Sequence, residues 1–306
     1  MKYKICMFAC VFVGVISHAQ ELKKDTQEET LFDQDSLLHH VKILSSNSFE
    51  GRRTGTSGAS KARDYIIKKF ESLNIAPLAD DYQQTFSFKA KVNTYQGNNI
   101  LGLVKGSQNP DDYIVISAHY DHEGIKNEKI YNGADDDASG ISALFAFAEY
   151  FKNHPPKHSV ILAAFDAEEL GLMGSKYFME HSIIPLKNIK LNINMDMIGR
   201  NDKNQLYVSG TAFDDTLKSV VSHYKNERNI ILLMGHDGKD GLQNWTYSSD
   251  HGPFHMKKIP FLYFGEEDHE DYHKPTDDFE KIQPTFYCNA VETIISLFAI
   301  IDKSTF

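Results

Sequence analysis

The chain has 306 residues, 41% hydrophobic and 24% charged, a globular composition that excludes disordered, collagenous and coiled-coil chains. Its formal net charge is −10 and it has no long basic run, so a nucleic-acid partner, whose phosphates need a Lys/Arg face, is not expected. The length can bury a full core, as one large α/β domain or two small ones.

The first residues read as a secretory signal peptide. Lys2 and Lys4 precede an apolar run of 12 residues, Ile5 to Ile16, and then Ser17, His18 and Ala19 place small residues at the cleavage site. Cleavage near Ala19 predicts an exported product, periplasmic or secreted, with formal charge −12. The apolar run is too short to span a bilayer comfortably, and no later stretch reads as a membrane span. Cys6 and Cys10 leave with this segment. Cys288 then has no intramolecular partner, and its apolar helical surroundings predict a buried thiol. The organisation expected is a signal peptide over 1–19, a polar leader over 20–30 and a single domain over 31–306.

In chain order, Ser36 to Leu44 predicts a helix capped by Asp35 or Ser36. FEGRRTGTSG, Phe49 to Gly58, is a glycine-rich loop, followed by a helix from about Ala59 to Leu73 with Tyr65, Ile66, Phe70 and Leu73 on one face. QQTFSFKAKV and NNILGLVKG predict the strands of a hairpin. From Tyr113 onward strands, loops and helices alternate. YIVISAH, SVILAAF, IKLNINM and PFLYFG are strands, whereas ISALFAFAEYF, SKYFME, LKSVVSHYKNE and TFYCNAVETIISLFAIID are helices. Such alternation predicts a mainly parallel sheet covered on both faces, in a three-layer α/β sandwich.

Three of these strands stop abruptly at metal-binding side chains: His119, the Glu168–Glu169 pair, and Asp196. Ligands in open α/β sheets gather where such strands end. With Asp135 to Asp137 and His273, the chain supplies the imidazole and carboxylate donors that zinc prefers. Two dications offset three carboxylates and a hydroxide, so a two-metal cluster can be neutral in a low-dielectric cleft. Neighbouring glutamates do not both point at one metal. Glu169 is therefore expected as a ligand and Glu168 as the general base acting on the bound water. Asp121 is expected to accept the second imidazole N–H of His119 and fix its tautomer. Asp137, ahead of a helix, suits an N-terminal cap. His122, His251, His255 and His269 are expected on the surface or supporting the site rather than ligating. Asp250 and Tyr247 are candidate substrate contacts, with Trp245 near them.

HYD at His119 to Asp121, GADDDASG at Gly133 to Gly140, DAEELGLMGS at Asp166 to Ser175, NMDMIG at Asn194 to Gly199 and YHKPTD at Tyr272 to Asp277 resemble the zinc peptidases of family M28, in the right order over nearly the whole mature chain. The resemblance implies a central eight-stranded mixed sheet and a two-zinc aminopeptidase that removes N-terminal residues from peptides with a free N-terminus. It implies Asp136 as the carboxylate bridging two Zn²⁺ per chain, His119 and Asp196 completing one sphere, Glu169 and His273 the other, and Glu168 as the base. The alternatives are a single-zinc acyltransferase like glutaminyl cyclases and a non-catalytic binding domain like the family's receptor relatives. LGLMGSKYF follows Glu169 directly, without the insertion typical of the cyclases.

Overall fold

A computed structural model describes residues 30–226 and 228–304 of the chain. The expected signal peptide and the leader as far as residue 29 lie outside the described residues. Helix α1 (Gln34–Leu44) begins two residues earlier than its sequence suggests, because the Asp33 side chain accepts from Ser36 N. Helix α2 (Ser57–Ser72) is capped by Thr56. Then come β1 (Ala76–Pro77), β2 (Gln83–Ala90), β3 (Asn93–Val104), β4 (Asn109–His119) and a small hairpin of β5 (Gly124–Lys126) and β6 (Lys129–Tyr131). Helix α3 (Gly140–Asn153), β7 (His158–Phe165), α4 (Met173–Glu180), β8 (Ile189–Met195) and β9 (Gln205–Ser209) follow. The chain continues through α5 (Asp215–His223), β10 (Ile231–Met234), α6 (His251–Met256), β11 (Phe261–Gly265) and α7 (Pro284–Ile301).

Nine strands form one mixed sheet in the order β1-β3-β7-β4-β8-β11-β9-β10, with β2 also pairing β3. The strand count exceeds the expected eight because β1 and β2 share one edge of the long β3. The centre, β7-β4-β8-β11, is parallel throughout. Antiparallel pairs flank it, β3 with β7 on one side and β9 with β11 on the other. The short strands β9 and β10 carry no strong alternation and were not anticipated from sequence.

The parallel strands are apolar without interruption because both faces are covered. On β4, Ile114, Ile116 and Ala118 face a core built with α1, α2, α3 and α7, while Val115 faces Phe178 of α4 and Phe254 of α6. Strand β7 divides in the same way, Val160, Leu162 and Ala164 against Ile161, Ala163 and Phe165. The three layers expected from sequence are those observed. Helix α7, contrary to the sequence reading, is long and apolar enough to cross a membrane. It serves as a core helix, with 67% of that stretch buried inside the fold and Phe286, Tyr287, Val291 and Phe298 in the main core. Cys288 lies in it, buried and free.

Pairing of β7, β4, β8 and β11 in parallel brings their C-terminal ends to one edge: His119 opposite Phe165, and Met195 opposite Phe264. The Glu pair, Asp196 and Glu266 all leave the sheet at that edge.

Candidate metal centre

His119 is the last residue of β4 and is 1% exposed. Its Nδ1–H donates to the Asp121 carbonyl at 3.0 Å, which leaves the Nε2 lone pair facing the cleft. Nε2 lies 3.1 Å from Oδ1 of Asp136 and 3.5 Å from Oδ1 of Asp196. The other oxygen of Asp136, Oδ2, is 3.1 Å from Nε2 of His273, and that nitrogen is 3.2 Å from Oε2 of Glu169. Asp136 thus divides its two oxygens between two donor sets.

The other two acids of the triplet are engaged elsewhere. Asp137 accepts from the backbone of His119 and Gly140, so it fills the expected place at the start of α3 while also tethering the end of β4. Asp135 accepts from Gly199 N at 2.7 Å and faces Nε2 of His269 at 3.1 Å. The loop that carries them needs Gly133. Its φ is +57°, and a Cβ there would sit 2.2 Å from the Asp136 carbonyl and 2.6 Å from the His122 ring. Arg52, 1% exposed, holds the loop from beneath by donating to the carbonyls of Leu44, Tyr120, Asn132 and Gly133. This staple is the second half of the Gly51–Arg52 turn in the glycine-rich loop, a role its sequence did not announce.

Asp121 departs from expectation. Its carbonyl, not its carboxylate, takes the His119 N–H, and the carboxylate oxygen stays 3.8 Å from Nδ1. The carboxylate instead accepts the backbone N–H groups of Glu168 at 3.0 Å and Glu169 at 3.3 Å. The reason is geometric: the chain turns sharply after β7, with Ala167 at φ +61°, and brings both N–H groups over Asp121.

His122 was assigned no ligating role by the sequence and sits inside the site, fully buried. Its Nδ1 approaches Oε1 of Glu169 to 2.8 Å and Oδ2 of Asp136 to 3.7 Å. The approach is not aligned for hydrogen bonding, so both ring nitrogens and Glu169 Oε1 are buried without a partner. Its signal in the sequence was its place directly after Asp121, three residues from His119.

These features fit a pair of cations. Zinc ligands ~2.0–2.2 Å from the metal stand roughly 3.3–3.6 Å from one another at tetrahedral angles. The donor separations of 3.1–3.5 Å within the two sets are close to that spacing. The electrostatics agree. Burial disfavours charge on His119, but Asp196, Glu168 and Asp136 outweigh it and hold the imidazole pKa well above its usual value. Burial likewise opposes the Asp136 carboxylate, and the imidazoles of His122, His119 and His273 outweigh it and hold its pKa well below normal. A carboxylate with both oxygens committed to cationic partners is what a bridging position requires.

Glu168 is not among the close donors and lines the adjoining cavity with His119, Asp136, Asp196 and His273. Burial, and then the charges of Asp196, Asp250 and Glu169, raise its pKa well above that of a free carboxylate, against the pull of His119. The cavity holds about 280 Å³, and Met197, Gln243, Trp245, Tyr263 and Tyr272 form its walls. The two proposed substrate contacts fall outside it. Tyr247 is 55% exposed and tilts against His255, while Trp245, two residues before it, lines the cavity instead. Asp250 is fully buried at the start of α6, and its charge contributes to raising the pKa of Glu168. His251 is also buried, its Nε2–H donating to the Trp245 carbonyl at 2.8 Å. His269 supports Asp135, and His255 is only partly buried.

The profile of Peptidase family M28 matches residues 99–298, the segment that holds this whole centre. The chain is 32% identical over 211 residues to aminopeptidase YwaD of Bacillus subtilis, an alignment covering 65% of this chain and 44% of that protein. It spans less than half the length of the curated relatives it matches. Among solved structures, a zinc aminopeptidase from Bacillus subtilis superposes with a TM-score of 0.68 at 17% identity, covering 87% of this chain and 95% of that one. A glutaminyl cyclase from Porphyromonas gingivalis superposes with a TM-score of 0.69 at 20% identity, covering 88% and 98%. Both likenesses establish the fold.

Proposed function

Because this chain belongs to peptidase family M28, we propose that it is a zinc-dependent aminopeptidase, acting on peptides with a free N-terminus and exported behind its N-terminal signal peptide. Residues 31–306 then make up the catalytic domain. The observation that carries the reading is the division of Asp136 between two donor sets, His119 with Asp196 and His273 with Glu169. His122 is a further candidate donor beside Glu169. When bound, a pair of zinc ions supplies a Lewis acid for the substrate carbonyl and lowers the pKa of water.

The chain's own residues do the rest. The Glu168 carboxylate is the general base, removing a proton from the attacking water and returning it to the leaving amine. Its raised pKa suits both steps, since a carboxylate that binds a proton more tightly than a free one is the stronger base toward the attacking water. Asp121 fixes the base by accepting its backbone N–H, and burial, with the charges of Asp196 and Asp250, raises its pKa. The cavity walled by Met197, Trp245 and Tyr272 receives the first side chain of the substrate and excludes water from it.

A glutaminyl-cyclase-like reading with one zinc has the fold likeness in its favour. The intact second set, His119 with Asp196, favours the two-metal peptidase over it. Elemental analysis of the purified chain and a panel of aminoacyl amides, with an N-terminal glutamine peptide included, test the choice with and without chelator. Two zinc ions per chain and chelator-sensitive release of N-terminal residues are expected. One zinc ion with cyclisation of the glutamine peptide overturns the reading.

A further inference from the structure

A second cavity of about 510 Å³ is lined by Arg53, Thr54, Arg63, Tyr95, Gln96 and Asp166 among others. Its floor is closed chemically. Asp166 is 2% exposed and already accepts from Thr54 Oγ1, Tyr120 OH and the N–H groups of Asn98 and Ala167. Arg63 is paired with Asp64 at 2.9 Å. Arg53 is held more loosely: its side chain is 30% exposed, it hydrogen-bonds the Tyr95 side chain, and its ion pair among the described residues, to Glu123, is a long 3.6 Å.

Glu123 connects this cavity to the centre. Its Oε1 is 3.9 Å from Nδ1 of His273, and its ligand-capable atoms lie within 4.8 Å of those of Glu169 and His273. Glu123 is also held closely by Lys126. One carboxylate therefore serves two cations, Arg53 and Lys126, so neither has a carboxylate to itself.

We propose that Arg53, supported by Lys126, binds a carboxylate on the leaving side of the substrate, so that the enzyme prefers short peptides ending near the scissile bond or peptides acidic there. The inference rests on the aminopeptidase reading above. With the first side chain in the smaller cavity, the rest of the peptide leaves past His273 and Glu123. At ~3.3–3.6 Å of extended chain per residue, the two contacts from His273 to Arg53 are spanned by the second or third residue of the substrate. A guanidinium at that distance takes a carboxylate through two parallel N–H bonds, which selects the group by shape as well as charge.

The test compares a tripeptide with a free C-terminus, the same tripeptide as its C-terminal amide, and an amide-capped hexapeptide with Asp or Asn at its third position. The readout is the kcat/KM ratio of acid to neutral partner within each enzyme, which cancels differences in active fraction. Wild type is expected to favour the carboxylate partner by about tenfold in at least one pair, and Arg53→Gln and Lys126→Gln to reduce that ratio, Arg53→Gln toward one. Loss in the tripeptide pair identifies the terminal carboxylate, and loss in the hexapeptide pair an acidic side chain. Ratios unchanged in Arg53→Gln overturn the proposal. Calorimetric binding of the N-acetylated tripeptide acid and amide separates the two readings: an Arg53-dependent preference without turnover retains the subsite and rejects the peptidase, and equal binding in both enzymes rejects the subsite.

Discussion

The backbone N–H of Glu168 donates to the Asp121 carboxylate at 3.0 Å, so the residue proposed to move the proton is held by the segment that follows His119 at the end of β4. The same carboxylate takes Glu169 N and Thr54 Oγ1, each at 3.3 Å. Removing it leaves two partly buried backbone N–H groups without that acceptor. Asp121→Ala is expected to lower kcat by about 10–100-fold, the range typical of partners that orient metal ligands, with KM little changed. Asp121→Asn keeps the shape and one acceptor oxygen and should lose less. Equal loss in both variants, with a matching fall in folded protein by circular dichroism, would mean that Asp121 only supports the fold.

Glu168 faces the cavity and makes none of the short contacts around Asp136. Its substitution should therefore separate chemistry from metal binding. Glu168→Gln is expected to keep the wild-type zinc content while kcat falls by about 10²–10⁴-fold, the usual contribution of a general base. Turnover at the wild-type rate would remove Glu168 from the mechanism.

The sequence made the centre legible and its supports obscure, for a physical reason. The proposed ligands at the ends of β4, β7 and β8 follow apolar runs, and a carboxylate or imidazole stands out where such a run stops. Asp136 could be picked from its neighbours only through the family motif. In the fold, Asp135 and Asp137 are spent on the backbone of Gly199, His119 and Gly140, and spacing contains no trace of that. Arg52 and His122 depend on contacts between segments far apart in the chain, Arg52 with Asn132 and His122 with Glu169, so neither has a local signature. Strands β9 and β10 were missed because five and four residues leave little periodicity to read.

His122 offers a test of the site that does not begin from the family motif. Both its nitrogens are buried without hydrogen bonds, and Nδ1 is 2.8 Å from Glu169 Oε1. A buried imidazole in that state is stabilised when a cation takes its lone pair or orders its partner carboxylate. His122→Phe, which keeps the ring and removes the nitrogens, is expected to weaken zinc affinity by about 10–100-fold in competition with a chromophoric chelator. Unchanged affinity would leave His122 as packing alone.

Asp136 is the residue on which both donor sets depend. Asp136→Ala removes Oδ1 from the His119 set and Oδ2 from the His273 set together, so elemental analysis is expected to show loss of both ions rather than one. Asp196→Ala removes a contact only from the first set and should spare one ion. A full complement in Asp136→Ala contradicts its bridging position.

His251 predicts how the fold responds to acid. Burial holds its pKa down to about 3, although its hydrogen bond to the Trp245 carbonyl pulls the other way. An unfolded histidine titrates near 6.5. Between those values the unfolded chain binds a proton that the folded chain refuses, so stability falls as pH falls. The stabilisation is complete above about pH 6.5 and is lost progressively toward pH 3, at about 1 kcal/mol per pH unit for this one group. His251→Asn has no proton to take up. Urea midpoints measured for both proteins at pH 7, 6 and 5, in the same metal-loaded state, should converge as the pH falls, because the other titrating groups contribute equally to each. Parallel curves would show that His251 is not held neutral, and with it that the wall formed by Trp245 does not depend on the protonation of the residue behind it.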